Sequence, residues 1–261
     1  MKPMNEELTD NIRAVLELYQ AFGFEELPIM INPDAPTNPD APAIKRNGLV
    51  SGVETRKPCR SSADKEAELE AVRKEIGDCR RCKLCQERTH IVFGEGSVNA
   101  RLMLIGEAPG REEDIQARPF VGEAGQLLTR LIEKMGFQRS DVYIGNIVKC
   151  RPPSNRDPQE DEIATCYPFL CRQIEIISPE VIMSLGRISG HKLLGIKVSM
   201  SKFSISRTRG QFYEYAAGSK NIPVMPTFHP AYLLRNPKDK WLTWEDAQAV
   251  IKKLELGDGT S

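Results

Sequence analysis

Arg101-Leu-Met-Leu-Ile-Gly-Glu-Ala-Pro-Gly110 carries a short apolar run into an abrupt turn of glycine, carboxylate, proline and glycine. Such a run, bounded by turn residues, predicts a strand buried on both faces, the kind found in parallel sheets. Gly106 and Gly110 allow backbone to approach closely, and Pro109 stiffens the turn between them. Open α/β sheets bind ligands just beyond the carboxyl ends of their strands, where Glu107 falls. The same residues would also make an ordinary strand-to-helix turn with a solvated glutamate, so the rest of the chain must decide.

Downstream, Gln126 to Met135 reads as a helix with Leu127, Leu128, Leu131 and Ile132 on one face, stopped by Gly136. Val142 to Val148 alternates as a strand, and Asp161 to Ile177 is helical with Pro168 as a kink or break. Val181 to Leu185 is another apolar strand closed by Gly186, and Arg187 to Leu194 a short helix. Gln211 to Tyr215 is expected as an edge strand, Ile222 to Phe228 as a strand interrupted by prolines, and Trp241 to Leu256 as a closing amphipathic helix. Strands alternating with helices at this spacing predict an α/β layer fold with a mainly parallel sheet.

Upstream, Ser62-Ala-Asp-Lys-Glu opens a helix whose face is Leu69, Val72 and Ile76. Before it, residues 1–23 carry Leu8, Ile12, Val15, Tyr19 and Phe22 at helical spacing, an amphipathic helix able to dock on the main domain or on a partner. Residues 24–62, punctured by six prolines from Pro28 to Pro58, read as a flexible linker. The main domain is expected over residues 63–261.

The 261 residues balance 36 basic against 36 acidic side chains, so no global positive field draws in nucleic acid and any such contact needs a local basic patch. No apolar run reaches the length of a membrane span, and the polar, acidic Met1–Asp10 is unlike a secretory signal. A cytoplasmic protein without membrane contact is therefore expected. In a reducing compartment its seven cysteines are better read as metal ligands than as disulfides. Cys79 and Cys82 form a C-x-x-C pair, Cys150 follows a strand, and Cys166 lies sixteen residues on. Four thiolates hold zinc or an iron–sulfur cluster, and thiolate count does not separate the two. Cys85 is an alternative to Cys79 or Cys82, and Cys171 to Cys166, while a lone C-x-x-C also serves as a redox motif.

Asn146 and His229 occupy the same kind of place as Glu107, each past the end of a strand. Each has a structural alternative, a buried amide for Asn146 and a core ring for His229, as Phe120 does as a plain core aromatic. His90 and His191 lack a strand-end context and are read as structural. Arg151-Pro-Pro-Ser-Asn-Arg156 is a proline-stiffened loop with two guanidinium groups, and Ala231-Tyr-Leu-Leu-Arg235 is an apolar segment ending in a base. Exposed leucines beside an arginine suit a wedge inserted into a DNA duplex.

GEAPG at 106–110, RPFVGEAGQLL at 118–128, NIVKCRPPSNR at 146–156 and HPAYLLR at 229–235 together resemble, in order and spacing, the family-four, iron–sulfur uracil-DNA glycosylases. The likeness runs from about Cys79 to the C-terminus and leaves residues 1–62 unassigned. It implies a three-layer α/β/α sandwich, a monomeric base-excision repair enzyme, and uracil-containing DNA as substrate. It implies a 4Fe–4S cluster on Cys79, Cys82, Cys150 and Cys166, and a uracil pocket of Gly106, Glu107, Ala108, Phe120, Asn146 and His229. Catalysis would involve His229 as donor to the leaving base, Glu107 toward the water or the sugar cation, and Asn155, with Glu113 in the same network. Arg111, Lys149, Arg151, Arg156 and Arg235 would form the basic patch, and Leu233 and Leu234 the wedge.

Two other functions fit less closely. A related branch that holds uracil-DNA covalently carries a basic insertion with a nucleophilic histidine, whereas Cys150-Arg-Pro-Pro-Ser-Asn-Arg156 has none. A cluster-containing DNA-binding module without activity is the other.

Overall fold

The computed structural model describes residues 60–218 and 220–258, so the N-terminal helix expected at 1–23 and nearly all of the linker at 24–62 lie outside the described residues. The unit that begins at Ser62 opens with helix α1, Ser62–Ile76, whose first residue is the last position assigned to the linker.

Six strands among the described residues form one sheet: β1 (Glu95–Gly96), β2 (Leu102–Gly106), β3 (Tyr143–Asn146), β4 (Val181–Leu185), β5 (Tyr213–Ala217) and β6 (Lys220–Thr227). Their spatial order is β1-β3-β2-β4-β6-β5. The inner four, β3, β2, β4 and β6, run parallel, and the two edge strands pair antiparallel. Every residue of β2 and β4 is buried, which is why both read as unbroken apolar runs rather than alternating ones.

Helices α2 (Arg111–Gln116), α3 (Glu123–Lys134), α4 (Glu160–Ile177), α5 (Arg187–Leu193) and α6 (Ile205–Thr208) lie between strands, and α7 (Pro230–Arg235) and α8 (Lys240–Asp258) follow the last one. They cover both sides of the sheet, giving the α/β sandwich. Met103 and Ile105 share a core with Leu69, Val72 and Ile76 of α1 and with Ile163, Leu170 and Ile174 of α4. Leu102 and Leu104 point the other way by the two-residue period of a strand. Helix α8 packs along β4 and β6 through an apolar stripe that includes Ala247, Val250 and Leu254.

Helix α4 continues through Pro168, so of the expected kink or break the break does not occur. Pro168 is exposed, so the carbonyl it leaves without an N–H partner faces solvent rather than the core. Among the described residues, no helix is long and apolar enough to cross a membrane.

Candidate active site

The parallel register sets Gly106 of β2 beside Asn146 of β3. Pairing continues past the strand ends, where the N–H groups of Ile147 and Val148 donate to the carbonyls of Gly106 and Glu107 at 3.0 and 3.1 Å. Leu185 of β4 lies beside Thr227 of β6, so Gly186 and His229 leave the sheet at the same level. Successive connections from β2 run to opposite sides of it, which opens a crevice at the carboxyl ends.

That crevice is a pocket of about 580 Å³, within the range of roughly 300–1,000 Å³ usual for small-molecule sites. Its lining includes Glu107, Ala108, Phe120, Asn146, Asn155, Arg156, His229 and Arg235. Glycine at 106 is a packing requirement, because a Cβ there would lie 2.4 Å from Asn146 Oδ1 and 2.5 Å from Phe120 Cζ. Phe120 itself has φ of +50°, a left-handed conformation rare for an aromatic. Its backbone rests on Gly125 of α3, where any Cβ would come within 2.0 Å of the Phe120 carbonyl. The ring then lies 5.7 Å from that of His229, tilted by 34°.

Asn146 is 1 % exposed, and its Oδ1 has no hydrogen-bond partner. An unpaired buried acceptor is costly unless a ligand satisfies it.

His229 is the N-cap of α7, and its Nδ1 accepts the N–H of Ala231 at 3.2 Å. A ring nitrogen that accepts carries no proton, so the neutral ring holds its proton on Nε2. Burial, with help from the nearby Arg235 charge, pushes its pKa down to about 4. His229 is thus a neutral Nε2–H donor at physiological pH.

Glu107 is the reverse case. Burial, then the negative charge of Asp157, pushes its carboxyl up to about 7, with Arg187 opposing the shift. Asp157 and Arg187 line the same pocket and form an ion pair. Sequence reasoning missed both, although Arg187 follows Gly186 directly after β4 and meets the strand-end criterion that selected Asn146 and His229.

Glu113 has its carboxylate fully engaged: Oε2 accepts from Gly110 N–H, and Oε1 from the N–H groups of Val121 and Gly122. It therefore clamps the 106–110 turn to the loop that bears Phe120. Asn155 reaches the pocket in a left-handed conformation at φ of +54°, but it is exposed and its Oδ1 accepts from Arg151 Nε at 2.7 Å.

Two residues expected to meet DNA are not at the surface. Lys149 is 1 % exposed, and its ammonium donates to the Asn146 carbonyl at 3.0 Å and to Gln173 Oε1 at 2.6 Å. A phosphate contact is excluded, since the side chain points into the domain. Leu233 is 4 % exposed and packs inward, whereas Leu234 is 37 % exposed. Adjacent residues on a helix diverge by about 100°, so one buried leucine leaves only the other available as a wedge. Arg111 and Arg235 are exposed, Arg151 is half-buried, and Arg156 is tied to the buried Glu162 by two hydrogen bonds. His90 and His191 bond to backbone carbonyls, those of Asp114 and Val198.

A second cavity lies on the α1–α4 side. Cys79, Cys82, Cys150 and Cys166 all line it, together with Arg88, Lys149 and the apolar Ile76, Leu84, Ile91 and Phe169. Cys85 and Cys171 do not, and Cys59 lies outside the described residues. The Lys149 N–H donates to Cys166 Sγ at 3.2 Å, and Arg81 Nη1 to Cys79 Sγ at 3.3 Å. Burial pushes the Cys150 thiol up to about 12. Among the described residues, no three metal-ligating side chains converge closely enough to hold a single ion.

The fold and pocket define an α/β protein with a pocket beyond the carboxyl ends of its parallel strands, and residues 93–251 match the Uracil DNA glycosylase superfamily. The chain is 49 % identical over 187 residues to a type-4 uracil-DNA glycosylase of Saccharolobus solfataricus, covering 71 % of this chain and 86 % of that protein. Type-4 uracil-DNA glycosylases of Sulfurisphaera tokodaii (48 % identical, 70 % of this chain, 83 % of theirs) and Thermotoga maritima (45 %, 72 % and 97 %) are similar over the same extent. The chain belongs to the type-4 family of that superfamily.

Proposed function

We propose that this protein is a base-excision repair hydrolase that flips uracil out of DNA and cleaves its N-glycosidic bond, leaving an abasic site. The observation that carries this reading is the unpartnered Asn146 Oδ1 in the same pocket as a neutral histidine donor. Extruding a base costs a few kcal/mol, which stacking and edge contacts must offset. Phe120 offers the stacking face. Asn146 accepts from uracil N3–H through Oδ1 and donates to O4 through Nδ2. Cytosine presents the opposite pattern at both positions and leaves buried polar groups unpaired.

Bond cleavage places negative charge on the departing uracil and positive charge on the sugar. His229 Nε2–H donates to uracil O2 as that charge develops. Glu107 accepts the proton of the attacking water, and a carboxyl whose pKa is about 7 suits that transfer near neutral pH. Arg111, Arg235 and the loop from Arg151 to Arg156 receive the strand, and Leu234 fills the gap left by the flipped base.

The cysteine set fits a 4Fe–4S cluster on Cys79, Cys82, Cys150 and Cys166. All four thiols line one cavity, a four-thiolate donor set of the kind that holds such a cluster. Two N–H···S contacts and two cationic side chains at the cavity suit an anionic group. Bound there, the cluster would tie together the segment after α1, the loop after β3 and helix α4.

The test is alkaline strand cleavage of oligonucleotides that carry one uracil. Cleavage at the uracil, with enzyme turning over, is the expected result. Uracil left in place, or protein that remains cross-linked to DNA after denaturation, would overturn the hydrolase reading.

The pH profile tests Glu107 separately. Its ionised form is the active one, so kcat/KM should rise about tenfold per pH unit below 7 and level off above it. Glu107→Gln should be slow at every pH and lack the rise. A wild-type profile that falls across pH 6–8 would remove Glu107 as the base.

A further inference from the structure

Arg88 stands beside the cysteine cavity with half of its guanidinium committed and half not. Its side chain is 5 % exposed, and Nη2 donates to Asp78 Oδ1 at 2.7 Å. Nη1 is buried and has no hydrogen-bond partner. Arg88 lines the cavity with the four cysteines, and its charge acts to lower the pKa of the Cys150 thiol.

A buried guanidinium N–H without an acceptor is as costly as the Asn146 carbonyl oxygen, and in the same way it marks a missing partner. No carboxylate lines this cavity. The acceptor that fits is a sulfur of the anionic group that the cysteines would hold. Asp78, next to Cys79 in sequence, fixes the other edge of the planar fork and so aims the free edge.

We propose that Arg88 is a ligand-sphere residue of the iron–sulfur cluster: its Nη1–H donates to a cluster sulfur, and its charge raises the reduction potential. The inference rests on the cluster assignment made above. Adding an electron makes the cluster more negative, so a fixed positive donor favours the reduced state over the oxidised one. Arg81, exposed and bonded to Cys79 Sγ, acts in the same direction through solvent and therefore more weakly.

The experiment is a redox titration of the protein purified without oxygen, with iron and acid-labile sulfide measured on each sample. Relative to wild type, Arg88→Met is expected to shift the cluster potential to lower values, and Arg88→Lys to recover part of the shift, at unchanged iron content. Coincident potentials for wild type and Arg88→Met overturn the proposal. If Arg88→Met loses its iron, Arg88→Lys keeps the test open, because it retains the charge but not the second edge of the fork. A wild-type potential in Arg88→Lys then overturns the Nη1 donor. Wild-type protein that carries zinc, or no iron, instead overturns the cluster assignment and is recognised before any variant is made.

Discussion

His229→Ala should slow single-turnover excision of uracil by about 10²–10³, the usual cost of losing one donor to a developing anion. The structure argues for a donor that works while neutral. Nδ1 accepts the Ala231 N–H, and burial holds the ring pKa near 4, so the imidazole enters the reaction with its proton on Nε2. Protonating Nδ1 would break the cap of α7 as well as place a charge in a buried site. Replacement by alanine also removes that cap, a loss of about 1 kcal/mol, which a domain of this size tolerates. His229→Gln, which restores a neutral side-chain donor, should recover part of the rate. Rapid-quench measurements on a uracil-containing duplex decide the matter, and near-wild-type single-turnover rates in His229→Ala would remove the residue from the chemical step.

Asn146→Asp should collapse the preference for uracil over cytosine. Sites that read a base edge through buried hydrogen bonds reject the wrong pattern by about 10⁴–10⁵, and Asn146 is the buried side chain with an orphaned acceptor in this pocket. Asn146 is 1 % exposed, so an aspartate of the same shape there would be buried and held in its protonated form. That form donates to cytosine N3 and accepts from N4, the arrangement that the amide refuses. Uracil excision should fall while cytosine excision becomes measurable, reducing the ratio of the two by at least about 10². The ratio comes from parallel assays on oligonucleotides differing only at the target base. An unchanged ratio would place discrimination elsewhere, with Ala108 and the 106–110 backbone as the nearest candidates.

Arg187 is the instructive omission. The reasoning that singled out Asn146 and His229 was position past a strand end, and Arg187 shares that position after β4. Locally its sequence shows no more than the start of a short, ordinary helix. Its neighbour in the pocket, Asp157, comes from the loop before α4, and nothing local links the two. Their effect on Glu107 exists only once β2, β4 and that loop are assembled.

The sequence alone determined the alternation of helix and strand and the parallel centre of the sheet. Unbroken apolar runs such as Leu102–Ile105 and Val181–Leu185 report burial on both faces, a property each strand carries by itself. It also determined which residues end each strand, because turn chemistry is local: Gly106, Asn146 and His229 sit where their neighbours stop the strand. Direction of burial was decided only by tertiary structure. Lys149 and Arg235 are alike as charges in a sequence, yet Lys149 donates to Asn146 and Gln173 in the interior while Arg235 faces solvent. Leu233 and Leu234 are identical and adjacent, and only the packing of α7 against α3 turns one inward and leaves the other exposed. Four cysteines spread over 88 positions likewise share one cavity because α1, α4 and the loop after β3 meet there. Chain-local patterns fix which element forms, whereas the partner of a side chain depends on segments far away in sequence that fold against it.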